Sequence, residues 1–429
     1  MKVRETTLAN GLKIVTAHMA DARSLTVNIV VGTGSRYEDY VTNGGVSHFL
    51  EHLLFKGSKK YPSPTAVAEA VDAVGGYNNA YTGEDVTSFY IKVPERHGSL
   101  AMDILCDLVK GPLLDPEEID RERGVIIEEM NVFRDDPSRF IATLIPQMIF
   151  PDNPLGCDII GSEDVIKTIS RDAIAAYLKQ HYRPNNLVVA VAGAVDHDDA
   201  VALVKRALGD MSSHSLPKPM YVGPDIARER FVALAKDTAQ AHFMVASRGY
   251  AYDDPDEPSA RVVAAILGRG MSSRLFMNVR ERQGLAYSIF AEVNSFVDTG
   301  LFEVYAGVNL DKTVLALDSV LHELDLIRHE TASDTELNKA KQQLTAGLEM
   351  SLENNASIAD RLGLQLVLMG RVKPIDEIIA GIEAVTAADV RRVAEDMLAP
   401  EHLRFAIIAP DPEITANHFK EYMMSKEIR

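Results

Sequence analysis

Cysteine is scarce in this chain, with only Cys106 and Cys157 among 429 residues. The two cannot form a C-x-x-C site. Two core thiols in a reducing compartment are expected rather than a disulfide framework. No apolar run approaches the ~18 residues that a membrane helix needs, so no membrane insertion is expected. The start, Met1-Lys2-Val3-Arg4-Glu5-Thr6-Thr7, lacks the apolar core of a secretory signal. A cytoplasmic location is the expectation, although a chain already processed in the mitochondrial matrix would look the same. Positive charge is also in deficit, 44 basic against 62 acidic residues, for a net charge of −18. That balance excludes a nucleic-acid binder, whose footprint is a basic face. It suits a basic ligand held in an acidic cavity, and equally it suits plain solubility. What remains is ordinary globular composition, 46% hydrophobic and 25% charged, at a length suggesting two or three domains.

The chain repeats itself with a period near 216 residues. Ile169-Ser170-Arg171-Asp172-Ala173 opens a helix that ends at Tyr182-Arg183-Pro184, before the strand Leu187-Val188-Val189-Ala190-Val191. Val385-Thr386-Ala387-Ala388-Asp389 opens another, ending at Leu398-Ala399-Pro400 before Leu403-Arg404-Phe405-Ala406-Ile407-Ile408. Ser170 and Thr386 read as N-caps, and each proline stops its helix. A weaker match joins residues 26–31, leading to Tyr37-Glu38-Asp39, with 241–246, leading to Tyr252-Asp253-Asp254. The polar, proline-containing stretch 211–225 reads as a linker. The expected domains are therefore 1–210 and 226–429. Residues 12–16, 26–31 and 88–93 read as strands, and 65–74, 100–109 and 117–134 as helices. Adjacent strands without intervening helices imply a mixed or antiparallel sheet in each copy, hence an α+β fold.

The motif that carries chemistry is His48-Phe49-Leu50-Glu51-His52. Residues four apart share a helix face, so His48 and His52 can grip one cation, with Glu51 within reach of a water there. This is H-x-x-E-H, the inverted relative of the H-E-x-x-H metalloprotease helix. The repeat supplies a control. Shifted by 215 positions, His48, Glu51 and His52 become Val263, Ile266 and Leu267. The duplicate builds the same helix from aliphatics, so architecture alone does not require the polar set. A catalytic zinc needs a third protein ligand from another element. The helix at 117–134 offers Glu118, Glu122, Glu128 and Glu129, of which Glu122 and Glu129 share a face. Spacing alone does not choose among them.

His48–His52 followed by Glu122-Arg123-Gly124-Val125-Ile126-Ile127-Glu128-Glu129 resembles the pitrilysin, insulysin and mitochondrial-processing-peptidase family (M16), whose members are inverzincins. The resemblance extends over essentially the whole chain. In that family a third glutamate ligand follows about 77 residues after the last histidine, and 77 positions separate His52 from Glu129. The resemblance thus implies Glu129 as third zinc ligand and Glu122 as a carboxylate supporting the site. Gly75-Gly76-Tyr77-Asn78-Asn79-Ala80-Tyr81-Thr82 resembles the family's substrate-pairing edge strand, implying Asn79 and Ala80 as substrate contacts; on residues alone it reads as a hairpin turn. Arg280-Glu281-Arg282-Gln283-Gly284-Leu285-Ala286-Tyr287 resembles the family's R-x(6)-Y element. It implies that Arg280 and Tyr287 reach the substrate carbonyl, where a cation and a phenol would stabilise an oxyanion. Without the family, this stretch reads as a helix-end charge cluster and a packed tyrosine.

The resemblance implies two tandem homologous domains of the LuxS/mitochondrial-processing-peptidase type, assembling into a clamshell. It implies one Zn2+ per chain and a zinc metalloendopeptidase (EC 3.4.24.-) with Glu51 as general base. The substrates would be peptides or unfolded, presequence-like segments. The length resembles the smaller members, in which two chains close a chamber. A homodimer is expected, because one chain holds both the metal helix and the arginine–tyrosine element; the alternative is a heterodimer with a related chain. The alternative function is a non-catalytic core or scaffold subunit of the same fold, although such chains usually lose a ligand. His322, Asp325 and His329 share a helix face, but histidines seven apart are too distant to hold one ion. Met130, Met148, Met350 and Met369 read as core or interface fillers rather than copper ligands.

Overall fold

Short apolar runs rich in β-branched residues build two separate sheets in the computed structural model, which describes residues 2–224 and 229–427. The first sheet contains β1 (Lys2–Thr7), β2 (Lys13–His18), β3 (Ser24–Val31), β4 (Tyr77–Thr82), β5 (Thr87–Pro94) and β6 (Leu187–Gly193). Their order is β1-β2-β6-β3-β5-β4. The second contains β7 (Phe231–Ala235), β8 (Ala241–Gly249), β9 (Ala286–Ser295), β10 (Gly300–Val308) and β11 (Arg404–Ala409), ordered β7-β11-β8-β10-β9. In each sheet one pair is parallel, β2 with β6 and β7 with β11, and every other pairing is antiparallel. Apart from β1, the two topologies coincide, as a duplicated α+β unit requires.

The caps read from sequence are present. The Ser170 hydroxyl accepts from the Ala173 N–H at 3.1 Å, and Thr386 forms a reciprocal capping box with Asp389. The duplicate of the histidine helix, Glu257–Gly268, buries Val263, Ile266 and Leu267 in the second core. Cys106 is buried, Cys157 is half-buried, and both are free thiols. Among the described residues no helix is long and apolar enough to cross a membrane.

The division of the chain differs from contiguous halves meeting at 211–225, and residues 225–228, where the second half was expected to begin, lie outside the described residues. One unit comprises Met1–Asn131, Cys157–Met220 and Glu349–Val372; the other comprises Val132–Gly156, Tyr221–Leu348 and Lys373–Arg429. The exchange has a packing cause. Helix Asn355–Leu368 lays Ile358, Ala359, Leu362 and Leu366 on Val15, Ala17, Val188, Ala190 and Ala192, covering one face of the first sheet. Gly363 permits the close approach, since a Cβ there would lie 2.6 Å from Val30 Cγ2. Helix Pro137–Ile149 does the same for the second sheet, packing Ile141, Ile145 and Met148 on Met244, Ala246, Tyr305, Ala406 and Ile408. Both helices follow the long helix of their own copy, Asp334–Ser351 and Pro116–Asp135 respectively, so the exchange obeys the repeat. Each fully buried Leu or Ile contributes about 1.5–3 kcal/mol to such docking.

Candidate metal centre

The polar motif lies on one short helix, Val46–Leu54, whose other side is core. Val46, Phe49, Leu50, Leu53 and Leu54 are buried, which leaves His48, Glu51 and His52 facing away from that core. The helix begins at Gly45, in the left-handed region with φ +90°, where a Cβ would lie 2.5 Å from the Ile160 carbonyl oxygen. No side chain of the N-cap residue can serve a glycine start. Glu38 serves instead: its buried carboxylate accepts from the N–H groups of Gly45 at 2.6 Å and Ser47 at 2.7 Å. Burial pushes this carboxyl up to about 8, against the pull of those two donors.

The second contributing element is the helix Pro116–Asp135, whose Glu122 and Glu129 face the histidines two turns apart. Glu129 Oε2 lies 3.7 Å from His48 Nε2 and 3.5 Å from His52 Nε2. One ligand atom from each of the three residues falls within 4.8 Å of the others, and among the described residues no other group of histidine, cysteine or carboxylate converges so closely. Nitrogen and oxygen donors about 2.0–2.1 Å from a tetrahedral zinc stand roughly 3.4 Å apart. The two separations from Glu129 match that requirement to within a few tenths of an ångström.

The supporting contacts also suit a cation. His52 Nδ1 donates to Glu122 Oε2 at 3.0 Å, so its Nε2 is the nitrogen turned to Glu129. Glu122, only 3% exposed, is held in turn by Lys56 Nζ at 2.6 Å. Burial and the neighbouring His52 push His48 down to about 4, so its ring is neutral and fit to ligate. Burial acts in the same direction on His52, but the hydrogen bonds with Glu122 and Glu129 outweigh it and raise the ring to about 9. Burial opposes ionisation of Glu122, yet His52 and Lys56 hold its carboxyl below the usual range; His52 does the same for Glu129. The centre therefore demands positive charge, which a proton on His52 meets when no metal does.

Glu51 stands apart from the three convergent residues. Its Oε2 accepts from the Thr82 hydroxyl at 2.6 Å, and burial raises its carboxyl above the ordinary value, the hydrogen bond from Thr82 opposing. Asn79 and Ala80 lie on β4, the outermost strand of the first sheet, which among the described residues pairs only with β5. The Ala80 N–H donates to Asn79 Oδ1 at 2.9 Å. This is a strand edge rather than the bare hairpin turn that its Gly/Asn composition suggests.

Arg280 and Tyr287 belong to the second unit. Arg280 sits in a π-helical turn, Phe276–Arg282, with its guanidinium 4.7 Å from the Phe276 ring centroid and 5.8 Å from that of Tyr287. The tyrosine is not packed: 74% of it is exposed at the start of the outermost strand β9.

Sequence reasoning passed over three residues here. Lys56 lies four positions past His52 on the line of the helix, so helical spacing signals it. Glu38 sits in the segment matched between the copies, and Thr82 closes the edge-strand motif, but nothing local ties either to the histidine helix.

Comparison with known proteins identifies the family. The insulinase (peptidase family M16) profile matches residues 13–163, which hold all three convergent residues, and the peptidase M16 inactive domain profile matches residues 168–344. The chain is 37% identical to an uncharacterized zinc protease of Streptomyces coelicolor, over 92% of this chain and 87% of that one. It is 31% identical to a probable mitochondrial-processing peptidase subunit beta of Arabidopsis thaliana, over 95% and 78% respectively. A protease from Helicobacter pylori shares the fold with a TM-score of 0.90 at 22% identity, covering 95% of this chain and 99% of that one. With two homologous α+β units and relatives of this identity along nearly its full length, the chain belongs to peptidase family M16, the insulinase family.

Proposed function

We propose that this protein is a zinc metalloendopeptidase (EC 3.4.24.-) that binds one Zn2+ per chain through His48, His52 and Glu129. The observation that carries the reading is the convergence of those three donors within 4.8 Å of one another, with Glu51 beside them and outside the set. The metal would supply Lewis acidity, easing deprotonation of a water and drawing charge from a substrate carbonyl.

The chain's own residues do the rest. Glu51, held by Thr82, accepts the proton of the attacking water and passes it to the departing amine. Its raised carboxyl suits that exchange, because a base too acidic would not take the proton. Glu122 keeps the His52 proton on Nδ1, and Lys56 keeps Glu122 ionised. Strand β4, around Asn79 and Ala80, lends its outer edge to an extended peptide, a mode that grips backbone and tolerates many sequences. Arg280 and Tyr287 are assigned, by the family resemblance, to holding the substrate carbonyl. A homodimer suits a chain that carries both parts, and peptides or unfolded, presequence-like segments suit an edge strand that pairs through backbone.

Profiling cleavage of a mixed peptide library, with and without a chelator, tests this reading. Chelator-sensitive cleavage that returns with zinc supports it. Confirmed zinc without cleavage would favour a non-catalytic scaffold subunit of the same fold.

A further inference from the structure

β4 is pinned at its end on both faces. Consecutive strand residues point to opposite sides of a sheet, and here both do so with a hydroxyl. The Tyr81 hydroxyl donates to Asp360 Oδ1 at 2.6 Å, and Asn28 Nδ2 donates to the same oxygen at 3.3 Å. On the other face the Thr82 hydroxyl donates to Glu51 Oε2 at 2.6 Å. A bond of that length between a hydroxyl and a carboxylate is charge-assisted and among the stronger neutral-to-ion contacts. Threonine is also stiff at χ1, so its hydroxyl is a well-defined anchor on a regular strand. Glutamate, by contrast, has three rotatable bonds, and without a partner its carboxylate would sample several positions.

We propose that Thr82 is a positioning residue that aims the Glu51 carboxylate, and that it ties the base to the same strand whose edge receives the peptide. The proposal rests on the peptidase reading above. With Oε2 held by Thr82, Oε1 is the oxygen presented to a proton. Docking of a peptide along β4 and placement of the base are then set by one element, so a substrate that seats poorly on the strand also meets a poorly placed base. A displacement of about 1 Å in a reacting group costs on the order of a hundredfold in rate.

The test uses Thr82→Val, which keeps size and β-branching but removes the hydroxyl, and Thr82→Ser, which keeps the hydroxyl. Zinc content should equal wild type in both, because Thr82 touches no ligand. With a fluorogenic peptide, Thr82→Val should lower kcat about 10- to 100-fold with KM within about twofold, while Thr82→Ser recovers most of kcat. In crystal structures of the metal-free proteins, Glu51 should leave its wild-type position in Thr82→Val and keep it in Thr82→Ser. Wild-type kcat in Thr82→Val, a loss confined to KM, or equal damage from Ser and Val would overturn the proposal. So would an unmoved Glu51 in the Thr82→Val crystal, a result that stands even if the wild-type protein proves unable to cleave peptides. That last failure would count against the peptidase reading alone.

Discussion

Glu122→Gln isolates the part of the metal centre that does not touch the metal. The substitution keeps the shape of a side chain that is 3% exposed, so packing is preserved. It removes the charge that faces His52 Nδ1 at 3.0 Å and Lys56 Nζ at 2.6 Å. Two losses follow. The amide oxygen is a weaker acceptor for Nδ1–H, so His52 becomes a poorer donor through Nε2. The amide NH2 can also turn toward the ring and donate to Nδ1, which moves the ring proton to Nε2 and blocks ligation in that fraction of molecules. Partners of this kind are worth about 10- to 100-fold in metal affinity, or about 1.4–2.7 kcal/mol. Lys56 is partly exposed, so water compensates the loss of its partner and adds little to the cost. Competition against a chromophoric chelator at fixed pH would measure the zinc Kd of both proteins. A Kd unchanged within twofold would refute the claim that Glu122 holds His52 for ligation.

Three further outcomes follow from the same geometry. In the metal-free protein His52 is raised from 6.5 to about 9, so near neutral pH it carries a proton that zinc must displace. Zinc uptake should release about one proton, and apparent affinity should climb about tenfold per pH unit toward pH 9; calorimetry in buffers of different ionisation enthalpy would contradict this if it found no release. The same shift gives stability to the metal-free fold that is fully present below pH 6.5 and lost as pH rises through about 9. His48, lowered to about 4, contributes stability present above 6.5 and lost as pH falls through 4. Chemical denaturation across pH 4–9 with a chelator present should therefore show a maximum near pH 6.5 from this pair. Gly45→Ala places a Cβ 2.5 Å from a backbone oxygen at φ +90°, and should lower stability by about 1–3 kcal/mol with loss of zinc affinity; an unchanged melting curve would contradict the account of the helix start.

Much of this was legible in residue order, for identifiable reasons. Helical spacing places His48 and His52 on one face, and the aliphatic duplicate at Val263, Ile266 and Leu267 marks the polar set as an addition; both arguments are local. The third convergent residue is not local. Four glutamates on one helix were equivalent by pattern, and only the family resemblance singled out Glu129, where the structure now shows the convergence. The exchanged helices 137–149 and 355–368 each bury an apolar face, but which sheet that face covers is decided by long-range packing that sequence does not express. Glu38 and Thr82 escaped for the same reason. Their chemistry comes from groups 7 to 31 positions away that meet them only in the folded chain.

The central claim is that three residues hold zinc while Glu51 moves the proton. Peptide hydrolysis by wild type and Glu51→Gln at equal, measured zinc content tests it most directly. The account predicts full zinc in both proteins and a loss of turnover of at least about 100-fold in Glu51→Gln. Cleavage by Glu51→Gln at the wild-type rate, with zinc bound, would contradict it.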